Sequence, residues 1–168
     1  MQILVLPGFS LANKDWAYEA KKQLGNEVLV HEWKHWQTGN DSDFKMSQEI
    51  ASVLAEIGSQ KVNVLAKSIG TCVAVQMLAK WQAEKVILCG IPTGIFEKNE
   101  GYYEEALANF PVEKIVIFQN ENDPFGKYLE IKDLVTKINS QIKIVKSPRA
   151  DHNYPYFADF KEFFQKES

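Results

Sequence analysis

Short apolar runs alternate with amphipathic segments along the whole 168-residue chain. The apolar runs have the length of buried strands, and the segments between them carry apolar residues at helical spacing. Six strands are predicted in this way, at residues 2–6, 28–33, 61–65, 86–89, 115–118 and 142–145. Helices are predicted at 14–24, 44–57, 69–80, 128–138 and 155–166. This repeated strand–helix unit favours an α/β fold, a three-layer sandwich with a parallel sheet between two layers of helices.

Composition is consistent with one domain over residues 1–168, because hydrophobic residues make up 45% and charged residues 24%, with no repeat, linker or low-complexity segment. The net charge of −3 and the lack of a Lys/Arg stripe predict no nucleic-acid partner. We see no signal peptide and no apolar run long enough to cross a bilayer. The expectation is a soluble, cytoplasmic protein without a membrane partner.

Ligands of an open parallel sheet bind beyond the carboxyl ends of the strands. The loops at those ends hold the unusual residues of this chain, and they span 7–10, 67–69, 90–93, 120–126 and 148–153. Functional side chains are therefore expected in these five loops.

Ser68 stands where the third predicted strand turns directly into a helix. A serine hydroxyl becomes a useful nucleophile where the backbone projects it and a base can reach it. In such a tight corner the strand and the helix come so close that the residues two before and two after the serine must be small, and here they are Ala66 and Gly70. The alternative interpretation is a serine that caps a helix after a buried strand.

A nucleophilic serine needs a base, and histidine is the usual one. The chain has three histidines. His152 follows the last predicted strand and is the candidate base, because the order Ser, acid, His requires the base to come last. His31 lies within the second strand and is expected to have no special role, whereas His35 could line a pocket.

The imidazole in turn needs a carboxylate that fixes its tautomer. Asp123 follows the fifth strand and precedes Pro124, which favours an inward-pointing side chain. Glu121 in the same loop and Asp151 beside the histidine remain alternative acids. If they are not the acid, Glu121 is expected to be a solvated loop carboxylate and Asp151 to form hydrogen bonds with the local backbone.

An oxyanion formed in the reaction needs preorganised N–H donors. The N–H of Ile69 follows the nucleophile at a helix start, where the helix dipole adds partial positive charge. The second donor is expected in the loop after the first strand, where Gly8 permits a close backbone approach and Phe9 N–H is the favoured donor. The alternative is that Pro7-Gly8 forms only a turn.

Four motifs, Leu6-Pro7-Gly8-Phe9, Ala66-Lys67-Ser68-Ile69-Gly70, Asn122-Asp123-Pro124-Phe125 and Asp151-His152, together resemble the α/β-hydrolase superfamily, specifically its small single-domain lidless serine hydrolases. The resemblance covers nearly the whole chain. It implies nucleophile Ser68, acid Asp123, base His152, oxyanion amides at Phe9 and Ile69, and the strand order 2-1-3-4-5-6. The departures are Ala66 in place of the commoner glycine, Pro7 in place of histidine, and the absence of two antiparallel strands that often begin the fold.

The resemblance further implies hydrolysis of carboxylic esters or related acyl compounds through an acyl-enzyme, with amidase and thioesterase activity left open. The partner is a small-molecule acyl substrate, and no cofactor or metal is implied. The alternative is a catalytically silent binding or scaffolding protein. An open, aromatic-lined pocket is expected from Trp33, Trp36, Phe96, Phe125 and Tyr154. Lys67 is expected at the pocket rim or in solvent, where it could favour an anionic substrate.

Three further features carry weaker expectations. Cys72 and Cys89 are expected to be buried reduced thiols, because no CxxC or Cys/His cluster accompanies them. Asp41-Ser42-Asp43 could serve metal-dependent phosphate chemistry, which is disfavoured because a polar loop precedes it. The segment between Gly90 and the fifth strand is too short for a cap domain, so it is expected to form a short helix that flanks the pocket or packs on the sheet.

Overall fold

A computed structural model of the chain describes residues 1–25 and 27–166. Its strands are β1 (Ile3–Leu6), β2 (Val28–Val30), β3 (Asn63–Lys67), β4 (Val86–Cys89), β5 (Ile115–Asn120) and β6 (Lys143–Ser147). Its helices are α1 (Asn13–Leu24), α2 (Lys34–Thr38), α3 (Met46–Ile57), α4 (Ile69–Leu78), α5 (Thr93–Lys98), α6 (Glu100–Asn109), α7 (Tyr128–Ile138) and α8 (Phe157–Gln165). Single 3-10 turns lie at Asp41–Asp43 and Val112–Lys114.

The six strands form one all-parallel sheet in the order β2-β1-β3-β4-β5-β6, which confirms the predicted fold class and strand order. In the centre of the sheet, Leu65 of β3 lies opposite Val5 of β1 and Ile87 of β4. The order reverses between β1 and β3, so the loops after these two strands leave the sheet side by side. That switch point is where a parallel α/β sheet offers a crevice.

Alternate residues of each strand enter two separate apolar clusters, one on each face of the sheet. Helices α1 and α8 cover the face that receives Val5 and Leu65. Helices α3, α4, α6 and α7 cover the opposite face, which receives Val64 and Ala66. Lys67, two residues beyond Leu65, points to the α1 side, where it bonds to Asn13.

Several boundaries differ from the sequence prediction by one to three residues, including the following three. Strand β2 ends at Val30 and not at residue 33, because its partner β1 stops at Leu6, and the last bond between the two strands runs from His31 N–H to Val5 O (3.0 Å). Strand β3 spans 63–67 rather than 61–65, in register with β1 and β4. Helix α8 begins two residues after Pro155, at Phe157.

The segment between β4 and β5 combines both expectations for it. Helix α6 packs its apolar side into the core, and Tyr103 is fully buried and stacks on Phe96 with ring centroids 4.4 Å apart. Helix α5 begins directly after the loop that follows β4.

Both cysteines are buried free thiols, as predicted. Among the helices that the structure describes, none is long and apolar enough to cross a membrane.

Candidate active site

Ser68 lies at the corner between β3 and α4 in a backbone conformation that side-chain-bearing residues rarely adopt. Its φ is 55° and its ψ is −122°, and it is the only residue other than glycine with a positive φ in the described part of the chain. Such a conformation typically costs about 1–3 kcal/mol and persists only where the surroundings enforce it. Here the Ser68 N–H donates to Cys89 O (3.0 Å), and Thr71 Oγ1 donates to Ser68 O (2.7 Å). The corner therefore holds the hydroxyl out of the sheet.

Small residues flank the corner for a steric reason. A Cβ placed on Gly70 would overlap the backbone carbonyl of Leu6, because α4 passes directly over the end of β1. Ala66 is fully buried in the sheet on the other side of the serine. The small-x-Ser-x-small spacing is thus a packing requirement of this corner.

His152 and Asp123 meet through a short hydrogen bond. His152 Nδ1 lies 2.7 Å from Asp123 Oδ2, and the Asp123 side chain is fully buried. In this contact Nδ1 donates and the carboxylate oxygen accepts, and Nε2 lies on the side of the ring away from Asp123. Nε2 is shielded from solvent and has no hydrogen-bond partner within residues 1–25 and 27–166. No hydrogen bond joins it to Ser68 within those residues, and such contacts often tighten only when substrate binds.

Two further donors hold the carboxylate of Asp123. Tyr154 Oη donates to Oδ2 (2.6 Å), and the Phe125 N–H donates to Oδ1 (2.8 Å). Burial raises the pKa of the Tyr154 phenol, so the hydroxyl keeps its proton and remains a donor. Asp123 therefore has one oxygen shared between an imidazole and a phenol and the other fixed by its own loop.

The rings of His152 and Tyr154 fit against the sheet because Gly90, at the end of β4, has no side chain. A Cβ at this position would lie 2.5 Å from the Tyr154 ring and 3.0 Å from His152 Cε1. The φ of Gly90 is +62°, which a residue with a side chain would also resist. Gly90 was predicted only as part of a loop of interest, since a sequence does not reveal which rings approach it.

The loop that carries His152 is anchored to β5 and to α1. Asn120 is fully buried, and its Nδ2 donates to the carbonyls of Asp151 (2.8 Å) and Asn153 (2.9 Å). Trp16 Nε1 donates to the carbonyl of Tyr154 (2.9 Å). Neither Asn120 nor Trp16 was singled out by the motifs, because both act on backbone carbonyls distant in sequence.

The loop after β1 is held by three aromatic rings. Trp33 Nε1 donates to Gly8 O (3.0 Å), while His35 Nε2 and Trp36 Nε1 both donate to Phe9 O (2.7 Å each). The C=O of Gly8 and the N–H of Phe9 belong to one planar trans peptide unit and point in opposite directions. Trp33 therefore fixes the direction of the Phe9 N–H, the predicted second oxyanion donor.

Ser68 and His152 open into one cleft of about 550 Å³. Apolar side chains dominate its walls, and α5 contributes one flank. Within the described residues its lining includes one cation and no carboxylate: Phe9, Ser10, Asn13, Ser68, Ile69, Pro92, Gly94, Ile95, Lys98, Phe125 and His152. The cleft thus places the hydroxyl and the imidazole, with the backbone of Phe9 and Ile69, around one volume.

The structure places the predicted pocket residues in different surroundings. Phe125 lines the cleft and is mostly exposed. Trp33, Phe96 and Tyr154 are fully buried, because their rings pack into the core or serve hydrogen bonds behind the cleft, and they do not line it. Trp36 is half-buried and lies behind Phe9.

The alternative acids point elsewhere. Glu121 pairs with Lys146 at the surface (3.1 Å). Asp151 pairs with Arg149 (2.5 Å), which holds the pKa of the Asp151 carboxyl below its usual range. Of the three carboxylates considered from the sequence, Asp123 is the one that contacts His152.

His31 has more partners than its sequence position suggests. Its ring is buried, with Nε2 3.0 Å from Glu49 Oε2 and Nδ1 3.0 Å from Glu56 Oε1. This cluster joins β2 to α3 and lies outside the cleft lining.

Asp41–Asp43 forms an exposed 3-10 turn. Within residues 1–25 and 27–166, no three His, Cys, Asp or Glu side chains are grouped as metal ligands.

Comparisons with known proteins agree with this architecture. A family model described as an alpha/beta hydrolase domain matches residues 26–159. A search of curated proteins found no match. Among solved structures, a protein described as a YdeN-like hydrolase from Pectobacterium atrosepticum has a TM-score of 0.69 at 14% identity, covering 96% of this chain and 89% of its own.

Two further structures share the fold. The esterase domain of a Rhodothermus marinus protein has a TM-score of 0.64 at 14% identity, over 96% of this chain and 81% of that one. An α/β serine hydrolase without a lid from Xanthomonas campestris has a TM-score of 0.58 at 15% identity, over 98% and 78%. With a six-stranded parallel sheet in the order 2-1-3-4-5-6 and a family match over residues 26–159, the chain belongs to the α/β-hydrolase family.

Proposed function

We propose that this protein is a serine hydrolase that cleaves carboxylic esters or related acyl compounds through an acyl-enzyme at Ser68. The observation that carries the proposal is the imidazole of His152, oriented by Asp123 and left with a free Nε2 in the cleft that also holds Ser68. A hydroxyl, an oriented imidazole and a buried carboxylate are the parts that nucleophilic acyl transfer requires.

In the first half-reaction Ser68 Oγ attacks the carbonyl carbon of the substrate, and His152 Nε2 takes the hydroxyl proton. The bond to the leaving group then breaks, and His152 returns that proton to the departing oxygen, nitrogen or sulfur. Asp123 stabilises the imidazolium that exists between these two transfers. Its position is supported by Tyr154 and by the Phe125 N–H.

The second half-reaction uses the same groups with water as the nucleophile. His152 takes a proton from water as its oxygen attacks the acyl carbon. Collapse of the intermediate breaks the bond to Ser68 Oγ and releases the carboxylic acid, and His152 gives the proton to Oγ. In both halves the negative charge on the carbonyl oxygen is received by the N–H groups of Phe9 and Ile69. Neither N–H donates a hydrogen bond elsewhere within residues 1–25 and 27–166, which leaves both available. Losing one such donor typically costs about 100- to 1000-fold in rate.

The cleft suits a small or medium acyl group in an ester, with amides and thioesters as further candidates. Its volume of about 550 Å³ lies in the range of small-molecule sites, and its walls are largely apolar. The esterases and hydrolases that share the fold support the same reaction class.

The test is a series of 4-nitrophenyl esters from acetate to octanoate, together with a fluorophosphonate probe, on wild type and Ser68→Ala. We expect labelling of Ser68 and hydrolysis in wild type, and a loss of at least about 1000-fold in kcat in the variant. Ser52→Ala, on the exposed side of α3, serves as the matched serine control and should retain both properties.

The label is located by mass spectrometry of proteolytic peptides, because Ser10 also lines the cleft. Labelling of Ser10 in place of Ser68, or unchanged hydrolysis in Ser68→Ala, would refute the mechanism. A folded wild-type protein that neither reacts with the probe nor hydrolyses any ester would instead support the catalytically silent binding protein.

A further inference from the structure

Lys67, the residue before Ser68, is a buried cation with no carboxylate in contact. It is only 5% exposed, and its Nζ donates to Asn13 Oδ1 (2.6 Å) and lies 5.4 Å from the centroid of the Trp16 ring. Within the described residues no carboxylate oxygen lies within 4.0 Å of Nζ. An ammonium group has three N–H donors, and the described contacts of Lys67 use one of them as a hydrogen bond. Lys67 is therefore not in solvent, which was one of the two positions expected for it.

Such a group is costly to bury, since charges inside proteins are nearly always paired. Burial lowers the pKa of Lys67, while the more distant charges of Asp123 and Asp151 partly oppose that effect. These carboxylates already have direct partners in His152 and Arg149. The Lys67 ammonium consequently lacks a direct counter-ion of its own.

Lys67 lines a second cavity of about 550 Å³. It shares Ser10, Asn13 and His152 with the cleft of Ser68, so the two volumes adjoin across these side chains. Two carboxylates also line the second cavity. Asp15 is exposed, and Glu19 is occupied by Lys22 (3.7 Å) and Gln23 (2.7 Å) at the surface of α1. The lining of this cavity thus combines a buried cation, Lys67, with two carboxylates nearer the surface, Asp15 and Glu19.

We propose that Lys67, positioned by Asn13, binds an anionic group of the substrate, so that the preferred substrates are acyl compounds carrying a carboxylate or a similar compact anion beside the scissile bond. The inference rests on the proposed function of Ser68 and names its substrate class. The anion supplies the contact that the ammonium lacks, whereas a neutral analogue of the same shape leaves it unpaired. A site built around such a group discriminates strongly against the analogue that cannot pair with it.

The anion can lie on either side of the bond that is cleaved, and two substrate pairs separate these cases. For the acyl side, mono-4-nitrophenyl adipate is compared with its neutral methyl ester, and release of 4-nitrophenol is followed. For the leaving-group side, 4-(butanoyloxy)benzoate is compared with methyl 4-(butanoyloxy)benzoate. We expect wild type to favour the anion in one pair by about 10- to 100-fold in kcat/KM, the range of a charge-assisted hydrogen bond.

Two variants should remove that preference by different routes. Lys67→Met keeps the length of the side chain and deletes the charge, and it should bring the anionic-to-neutral ratio close to one. Asn13→Asp keeps the lysine and places a carboxylate beside it, which pairs with the ammonium in place of the substrate anion. This variant should therefore also lower the anionic-to-neutral ratio, and it provides the test if Lys67→Met folds poorly. Any effect of Lys67 on Asp123 acts on both esters of a pair and cancels in the ratio.

Lys98 provides the matched control, because it lines the Ser68 cleft but is exposed. Lys98→Met should change the ratio by no more than about threefold, and 0.5 M salt should abolish that change because exposed charges are screened. The preference due to Lys67 should survive the same salt, since a buried pair is screened far less.

The outcomes separate the two proposals. Ser68-dependent hydrolysis with a ratio near one in both wild-type pairs, or an unchanged preference in Lys67→Met, would overturn the anion site and leave the serine hydrolase standing. If no ester is hydrolysed, adipate is titrated calorimetrically into Ser68→Ala with and without Lys67→Met. Adipate that binds to Ser68→Ala but not to the double variant with Lys67→Met supports the anion site. Equal binding to both proteins, or no binding to either, overturns it.

Discussion

Replacing Tyr154 by phenylalanine removes one oxygen atom from behind the candidate active site. That hydroxyl donates to Asp123 Oδ2 (2.6 Å) and accepts from the Asn120 N–H (3.1 Å). In the variant, Asp123 keeps its bonds to His152 and to the Phe125 N–H, so its charge is not left unpaired. The buried Asn120 N–H, however, loses its acceptor.

These losses set the expected magnitude. A hydrogen bond to a charged group contributes about 1.5–3 kcal/mol, and an unsatisfied buried N–H adds about 1 kcal/mol. Tyr154→Phe should therefore lower the free energy of unfolding by about 2.5–4 kcal/mol. If about 1 kcal/mol of this also acts on the imidazolium of His152 in the transition state of the proposed reaction, kcat falls about fivefold. KM should stay unchanged, because Tyr154 does not line the cleft.

The assay combines urea unfolding with separate kcat and KM values on a 4-nitrophenyl ester. Ile131→Val, on the buried face of α7, is the control for stability alone. It should lower the free energy of unfolding by about 1 kcal/mol with no change in kcat. A stability loss with unchanged kcat would refute the positioning role. A raised KM at constant kcat would instead restore Tyr154 as a substrate contact, the role that the sequence suggested.

Two further predictions concern stability. His31→Leu should lower the free energy of unfolding by about 3–5 kcal/mol, because the buried carboxylate of Glu49 then keeps the Lys34 N–H but has lost its side-chain partner. Glu56→Gln, at the exposed end of the same cluster, should cost less than about 1 kcal/mol. Equal losses in urea unfolding would contradict this account. Gly70→Ala should cost more than about 3 kcal/mol or prevent folding, since its Cβ meets backbone, while Gly101→Ala in open space on α6 should stabilise by about 0.5–1 kcal/mol, both measured by thermal unfolding.

The sheet was predictable because the information that defines it is local. Apolar runs of strand length, separated by helical periodicity, leave few arrangements other than a parallel α/β sheet. The corner at Ser68 was predictable for a related reason, since close backbone packing restricts Ala66 and Gly70 in the sequence itself. Asp123 and His152 followed from their places after successive strands, whose carboxyl ends share one edge of the sheet.

The surroundings of the site were not predictable, because they depend on where long side chains end. Trp33 and Tyr154 were expected to contact substrate, but their polar atoms bond to Gly8 O and to Asp123 behind the cleft. Lys67 was expected at the pocket rim or in solvent, and its position on the α1 face of β3 buries it. His31, which directly follows β2, has two carboxylate partners on α3, which no local spacing could reveal.

The hydrogen bond from the Trp33 indole to Gly8 O also has a consequence for the time course of the proposed reaction. A peptide unit next to glycine can rotate as a rigid plane about its flanking single bonds, which reverses its C=O and its N–H together. Rotation of the Gly8–Phe9 unit would break the bond from Trp33, a buried donor that would then lack a partner. The bond from Trp33 therefore opposes this rotation. Progress curves of the proposed reaction should show no lag of the kind that a slow peptide flip would introduce.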